Sequence, residues 1–494
     1  MEGFAFFENK EESEMGRGQF SIFEFRLLIR GCVAAWRDKN ILVLVRTNEA
    51  SVDLPTGAEP MNLESELRTA PVEEQSNLLS LALLSLLAGA ASGLVGAVFR
   101  LSLDQADRWR DALITWAHRE EFAGFLLVTT ICAAATAVAA WLVRRYSPQA
   151  SGSGIPHVEA VLSGEVQQAP YRLIPVKFVG GVLAIGSGLA LGREGPSVQM
   201  GASVANLLGT LFRRNGDDCR MLLAAGAGAG LATAFNAPIG GAVFVLEELA
   251  RRFDTRITIV TLGASAGAIA VARVFLGDAP DFHVEPIPYP GFGTVPVHLA
   301  LGVVAGCLGV AYNRAILGTL AVADRLHRWP VELRAALVGA AVGMLAWFAP
   351  GIVGGGDAIT QQTLSGTETV AMLSGVFFLR FGLGPLSYAV ETPGGLFAPI
   401  LVLGSQSGAL FANLCSQWFP TAAGNPTALG IVGMAAFFTA VVRAPVTGII
   451  LVTEMTGSFT LLLPMLSACF AAMLVPNLLR NAPIYDSLRE RTLR

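Results

Sequence analysis

The stretch from Thr392 to Val442 runs for 51 residues without an Asp, Glu, Lys or Arg, and this feature restricts the fold more than any other. Further charge-free stretches extend from Leu78 to Phe99, Phe122 to Val143, Met221 to Leu246, Ala335 to Gly356 and Thr456 to Leu479. A membrane-crossing helix takes about 20 consecutive, mostly apolar residues, so these stretches supply several full crossings. A water-soluble core of this length would need interleaved charged faces, with roughly 25% charged residues overall. Here the figure is 15%, with 53% apolar residues and a mean hydropathy of +0.56. The chain reads as an all-α protein that crosses a bilayer many times.

Little else in the composition points to chemistry. The net charge of −4 is uninformative for a membrane protein. Cys32, Cys132, Cys219, Cys307, Cys415 and Cys469 form no CxxC pair and have no histidine nearby, so they read as small apolar fillers. The five histidines give no ligand spacing, and neither a metal nor a cofactor is expected. No GxxxxGK[ST] phosphate loop occurs, which leaves ATP-driven pumping without support.

The N-terminus carries Glu2, Glu8, Glu11, Glu12 and Glu14 where a secretory signal would be basic. From Phe20 to Arg46 apolar residues alternate with Arg26, Arg30, Arg37, Lys39 and Arg46, which suits a helix at a membrane surface and equally an unstructured tail. Residues 48–76 are acidic, contain Pro55, Pro60 and Pro71, and read as a linker, so that 1–76 forms an N-terminal extension; translation from Met61 remains an alternative start. The membrane domain is expected over 77–480, its first half near 77–276 and its second near 295–480, followed by a short tail, 481–494. Basic residues at both ends favour cytoplasmic termini.

Several apolar segments are too short or too interrupted to be plain spans. Phe178 to Gly192 holds 15 uncharged residues, and Gly195 to Phe212 holds 18 directly after a charged Arg-Glu step. With 54 Gly and 25 Pro, many helices must break inside the membrane, where non-helical backbone survives only against protein or a wet cavity. The chain also repeats itself. Ala237-Pro238-x-x-Gly241-x5-Glu247 recurs as Ala444-Pro445-x-x-Gly448-x5-Glu454, an offset of 207. Gly192-x3-Pro196-x4-Gly201 recurs as Gly395-x3-Pro399-x4-Gly404, an offset of 203, and Ala205-Asn206-Leu207 as Ala412-Asn413-Leu414, again 207. Broken segments at matching places in two halves point to a transport site between them.

Three loops share one design, small residues followed by a proline that opens a helix. They are Gly152-Ser153-Gly154-Ile155-Pro156, Gly192-Arg193-Glu194-Gly195-Pro196 and Gly394-Gly395-Leu396-Phe397-Ala398-Pro399. Proline is pre-organised for the first helical position. The free N–H groups at such a start carry the positive end of the helix dipole, on the order of +0.5 charge. Any one such loop could simply end a helix. Three converging would hold an anion without a buried Lys or Arg, weakly enough for release.

With these residues on view, the sequence resembles the CLC family of chloride channels and chloride/proton exchangers, in its bacterial type, over roughly residues 78 to 490. The motifs GSGIP (152–156), GREGP (192–196) and GGLFAP (394–399) occur in the family's order, and Tyr485 matches its signature tyrosine. The resemblance implies a homodimer with one pore per subunit, each subunit an inverted repeat of broken and partly spanning helices, in a bacterial inner membrane. It implies chloride and protons as the transported ions, with no nucleic acid as partner, and the short C-terminus leaves no room for nucleotide-sensing domains. Carried over by position, Ser153 and Tyr485 offer hydroxyls to chloride, and Leu396 and Phe397 offer backbone N–H groups. Without the resemblance, Tyr485 reads as an interfacial tyrosine at a helix end.

Glu194 would be both gate and external proton carrier. A carboxylate in a low-dielectric filter is costly while ionised unless donors stabilise it; ionised, it can occupy chloride's place, and protonated, it can swing away. The alternative is a structural pair with Arg193, itself read as a structural residue. Glu247 and Glu248 end a charge-free run just before Arg251 and Arg252. The resemblance makes Glu248 the internal proton-transfer acid, which favours antiport over a passive voltage- or pH-gated chloride channel; a helix-end pair with Arg251 or Arg252 is the plainer reading. Glu247 matches Glu454 in the repeat, whereas Glu248 faces Met455. A remote reading, an intramembrane serine protease using Ser203 or Ser265 with His283 or His298, lacks any sign of a base beside a nucleophile. The chain is read as a transporter and not as an enzyme.

Overall fold

The computed structural model describes residues 70–418 and 425–493. The expected surface helix over 20–46, the linker up to residue 69, Met61 and Cys32 lie outside them. The described residues form helices with no named strand: α1 (Ala70–Ala117), α2 (Glu121–Tyr146), α3 (Ile155–Leu162), α4 (Leu173–Gly186), α5 (Glu194–Leu211), α6 (Gly216–Phe235), α7 (Pro238–Phe244), α8 (Thr255–Leu276), α9 (Val295–Arg325), α10 (Val331–Phe348), α11 (Asp357–Ser365), α12 (Val370–Tyr388), α13 (Phe397–Trp418), α14 (Pro426–Val442), α15 (Pro445–Thr456), α16 (Leu462–Leu478) and α17 (Ile484–Leu493). α1 begins at Ala70, so the stretch 70–76, read as linker, is already helical; Pro71 sits in the first turn, where its missing N–H is harmless.

Seven helical stretches among the described residues are long and apolar enough to cross a membrane. Others are not: α3 has 8 residues and α11 has 9, which at about 1.5 Å per residue reach less than half of a hydrocarbon core about 30 Å thick. Such helices are viable because protein surrounds them. Burial separates the two kinds of span. Phe122, Phe348, Phe378 and Leu478 stand exposed on outer helices, whereas the window Phe397–Ser416 in α13 is 78% buried. The exposed apolar surface of the outer helices suits a lipid or protein surround, and α13 is largely enclosed by the other helices.

The repeat has a direct structural expression. Helices α5, α6 and α7 of the first half correspond to α13, α14 and α15 of the second. α5 has 18 residues and α13 has 22; the extra four add about one helical turn and leave the same face inward, which accounts for the change of offset from 203 to 207. In each half the paired helices touch backbone to backbone at matching glycines. A Cβ on Gly201 would strike the carbonyl of Gly226, and one on Gly404 the carbonyl of Gly433.

Glu247 and Glu454 share a role, as their match in the repeat suggests. Glu247 accepts from the N–H groups of Val446 (3.0 Å) and Thr447 (2.7 Å) at the start of α15. Glu454 accepts from Ile239 (3.1 Å) and Gly240 (2.7 Å) at the start of α7. Each half caps a helix of the other with an acid at its positive end, the reciprocal contact that two-fold related halves require.

Candidate functional site

Three loops far apart in sequence are stitched together by their backbones. Gly152 N–H donates to Thr392 O at 3.1 Å, and Gly394 N–H donates to Gly152 O at 3.1 Å. Gly192 and Gly395 exchange a reciprocal pair of N–H···O bonds at 2.9 and 2.7 Å. The helix starts of α3, α5 and α13 therefore meet where the halves join. Gly154 caps α3 with φ +85°, a left-handed conformation that glycine adopts freely. Pro156, Pro196 and Pro399 take the second or third helical position instead of the first, still within the turn whose N–H groups lack intrahelical acceptors.

Ser153, Leu396, Phe397 and Tyr485 are all fully buried. The Ser153 and Tyr485 hydroxyl oxygens have no protein partner, and no protein acceptor takes the N–H of Leu396 or Phe397 among the described residues. A buried polar group left unpaired costs about 1–3 kcal/mol, so several unpaired donors in one region mark a place that a ligand completes. The Tyr485 ring lies against Phe397 with centroids 6.3 Å apart and planes inclined by 25°. Ser153 abuts the second loop: a Cβ on Gly195 would meet its Oγ at 2.6 Å.

Glu194 is fully buried. Its Oε1 accepts a short hydrogen bond from the Ala398 N–H, and its Oε2 has no partner. The carboxylate thus sits on the opening turn of α13, a helix of the opposite half. Gly192 makes this possible, because a Cβ there would collide with both carboxylate oxygens. Arg193 is engaged elsewhere, with Asp357 at 2.6 Å, Asp281 at 3.2 Å and the carbonyl of Ala234 at 3.0 Å, and forms no ion pair with Glu194.

Two cavities approach these loops. One, of about 210 Å³, is lined by Asp107, Arg110, Gly192, Arg193, Asp357 and Ala398. The other, of about 500 Å³, is lined by Ser151, Gly152, Gly154, His157, Tyr388 and Arg491. The first reaches the Glu194 loop and the second the Ser153 loop, where Tyr388 Oη accepts from Ser153 N–H at 3.4 Å.

Glu248 is buried in a π-helical turn, Val245–Leu249, that continues α7. Such a turn inserts an extra residue and re-aims its neighbours. Glu247 caps α15, while Glu248 Oε1 makes no hydrogen bond. Arg251 approaches it only at 3.9 Å and pairs instead with Asp486 at 2.7 Å; Arg252 pairs with Asp254 at 3.3 Å. Tyr485 lies within electrostatic reach of both Glu194 and Glu248.

Among the buried charges that escaped the sequence reading, two lie close to these groups. Lys177 is fully buried and donates to Ala150 O at 3.0 Å and Gly152 O at 2.7 Å, clamping the loop that carries Ser153. Replacing Lys177 by Met strands the Ala150 carbonyl and leaves Gly152 O with the Gly394 N–H alone, a loss on the order of 2 kcal/mol; a drop of several degrees in the melting temperature and weakened chloride binding check it. Glu159 is buried with neither carboxylate oxygen partnered, within electrostatic reach of Glu248. The available signal for both was a lone charge in an otherwise apolar segment. The protease reading gains nothing. Ser203 Oγ donates to Gln199 O at 2.9 Å and accepts from Gln168 at 3.2 Å, and no hydrogen bond joins Ser203 or Ser265 to a histidine among the described residues.

A family model described as voltage gated chloride channel matches residues 135–477. The chain belongs to this family. Among its CLC relatives, an H(+)/Cl(-) exchange transporter ClcA from Cronobacter sakazakii is 36% identical over 424 residues, covering 84% of this chain and 90% of the relative. One of the same name from Vibrio cholerae is 36% identical over 426 residues, with the same coverage. The crystal structure of a slow cyanobacterial Cl-/H+ antiporter aligns with a TM-score of 0.80 at 32% identity, covering 84% of this chain and 98% of that one. The fold is the CLC-type inverted repeat, in a multi-pass membrane protein.

Proposed function

We propose that the protein exchanges chloride for protons across a bacterial inner membrane, as a homodimer with both termini cytoplasmic. The observation that carries this reading is the placement of Glu194. Its carboxylate rests on the opening turn of α13, next to hydroxyl and amide donors that no protein group satisfies. Donors that welcome a carboxylate there would welcome a halide in its place, since both are monovalent anions taking hydrogen bonds. Protonation removes the charge that holds Glu194 at the helix start and frees the site for chloride. In this reading Ser153, Tyr485 and the N–H groups of Leu396 and Phe397 bind chloride. Glu194 gates the site and passes protons to the outer solution, and Glu248 takes them from the cytoplasm. The names of the ClcA relatives and of the cyanobacterial antiporter support the exchange of chloride for protons.

The test is a chloride gradient imposed on liposomes holding the purified protein, with external pH and chloride followed together. Antiport drives protons against their own gradient and stops when the chloride gradient is spent. A passive channel passes chloride with no linked pH change, and that result would refute the proposal. Ser153→Pro removes one neutral hydroxyl donor and should lower the preference for chloride over nitrate. A competition assay showing the same preference in both proteins would remove Ser153 from the ligand set.

A further inference from the structure

The repeat breaks at one capping position. Asn236 ends α6 and Arg443 ends α14, both in the left-handed region, at φ +49° and +75°. That conformation is easy for asparagine and costs roughly 1–2 kcal/mol for most other residues, so arginine is a poor choice for the cap itself. Its side chain does something the asparagine cannot. Arg443 donates through Nη1 to the Ala440 carbonyl, at the end of α14. Through Nη2 it donates to the Asn481 carbonyl at 2.9 Å. No carboxylate pairs with it among the described residues, so the guanidinium is engaged with carbonyls alone.

Asn481 belongs to the link 479–483 between α16 and α17. Asn313, fully buried in α9, grips the same residue, donating from Nδ2 to Asn481 Oδ1 at 3.1 Å and to Val441 O at 3.3 Å. Two helices are thereby tied to one short link, and Tyr485 follows it as the second residue of α17. The first-half counterpart differs. Asn236 donates to Ala279 O at 2.9 Å and accepts from Arg273, with no equivalent of α17 to hold.

We infer that Arg443 and Asn313 are positioning residues that fix the Tyr485 hydroxyl at the chloride site by anchoring the link ahead of it. The inference rests on the reading of Tyr485 as a chloride ligand. The hydroxyl has no protein partner to hold it, so its place is set by where the start of α17 holds the ring. Hydrogen bonds weaken steeply once donor and acceptor separate beyond normal range, so a small shift of the link removes the ligand.

The experiment is calorimetric titration of chloride into the full-length protein and its variants, with gel filtration and thermal melting to confirm folding. Tyr485→Ala should weaken chloride binding about tenfold, the size expected for a lost buried ligand. Arg443→Met and Asn313→Leu should each weaken it in the same direction, and Arg443→Lys, which keeps the charge without the two-pronged geometry, should recover part of the loss. The double variant Arg443→Met with Tyr485→Ala should bind no more weakly than Tyr485→Ala alone. A merely structural role would not give that non-additivity. Normal chloride affinity in Arg443→Met and Asn313→Leu, beside a weakened Tyr485→Ala, overturns the positioning role alone. An unchanged Tyr485→Ala overturns the ligand reading, and the positioning role with it.

Discussion

Replacing Glu194 by Gln should reduce chloride-driven proton movement to the level of empty liposomes while chloride still crosses. The carboxylate is the titratable group found on the opening turn of α13, and a carboxamide of nearly the same shape cannot carry a proton. Glutamine is also neutral at all working pH values, so it mimics the protonated side chain that leaves the anion site open. Chloride flux should therefore lose its dependence on external pH. A pH electrode and a chloride electrode in the same vessel check both parts. Proton uptake persisting in the Gln variant would show that the proton travels by another group.

The second large effect is expected at the other end of the path. Glu248→Gln should stop proton movement as completely as Glu194→Gln, yet leave chloride flux of the same order as in the unaltered protein, because Glu248 makes no hydrogen bond to any of the chloride donors. Its side chain is buried with an unpartnered Oε1, and the nearest guanidinium is already committed to Asp486. A residue kept for an ion pair would be expected to hold its partner closely; this one does not. Replacement at Glu247 gives the contrast. That side chain caps α15 through three hydrogen bonds, so its loss should appear as instability. If Glu248→Gln still acidified or alkalinised the medium in response to chloride, the internal role would belong elsewhere.

The site was legible in the sequence where chemistry concentrates in short motifs. Gly-rich loops ahead of prolines announce broken helix starts, and Glu194 stands out as the one acid inside these three loops, in a run, 178–212, otherwise charged only at Arg193. The repeat was visible as well, since backbone contacts such as Gly201 with Gly226 and Gly404 with Gly433 forbid larger residues. What the sequence hid were relationships made only by folding. Lys177, Glu159 and Arg443 each appear as one charge in an apolar context, and their meaning comes from carbonyls or acids that only folding brings beside them. The joining of the loops through Gly152, Gly192 and residues 392–395 is carried by backbone groups, which leave no side-chain signature. Charge also hid where one helix ends. The charge-free runs Leu78–Phe99 and Phe122–Val143 mark the apolar parts of α1 and α2, but the charge-bearing stretch 100–121 between them hid that α1 runs on to Ala117 and that only the short turn at His118–Glu120 parts the two helices.

One physical idea links these results: neutral donors at converging helix starts stabilise a partly dehydrated anion, and a movable acid competes with it for the place. The most direct test is anomalous diffraction from crystals grown in bromide. The account predicts a bromide peak within hydrogen-bonding reach of Ser153 Oγ and the Tyr485 hydroxyl. In Glu194→Gln it predicts a further peak at the opening turn of α13, where the carboxylate now lies. Bromide absent from both positions, with the four donors still buried and unpaired, would contradict it.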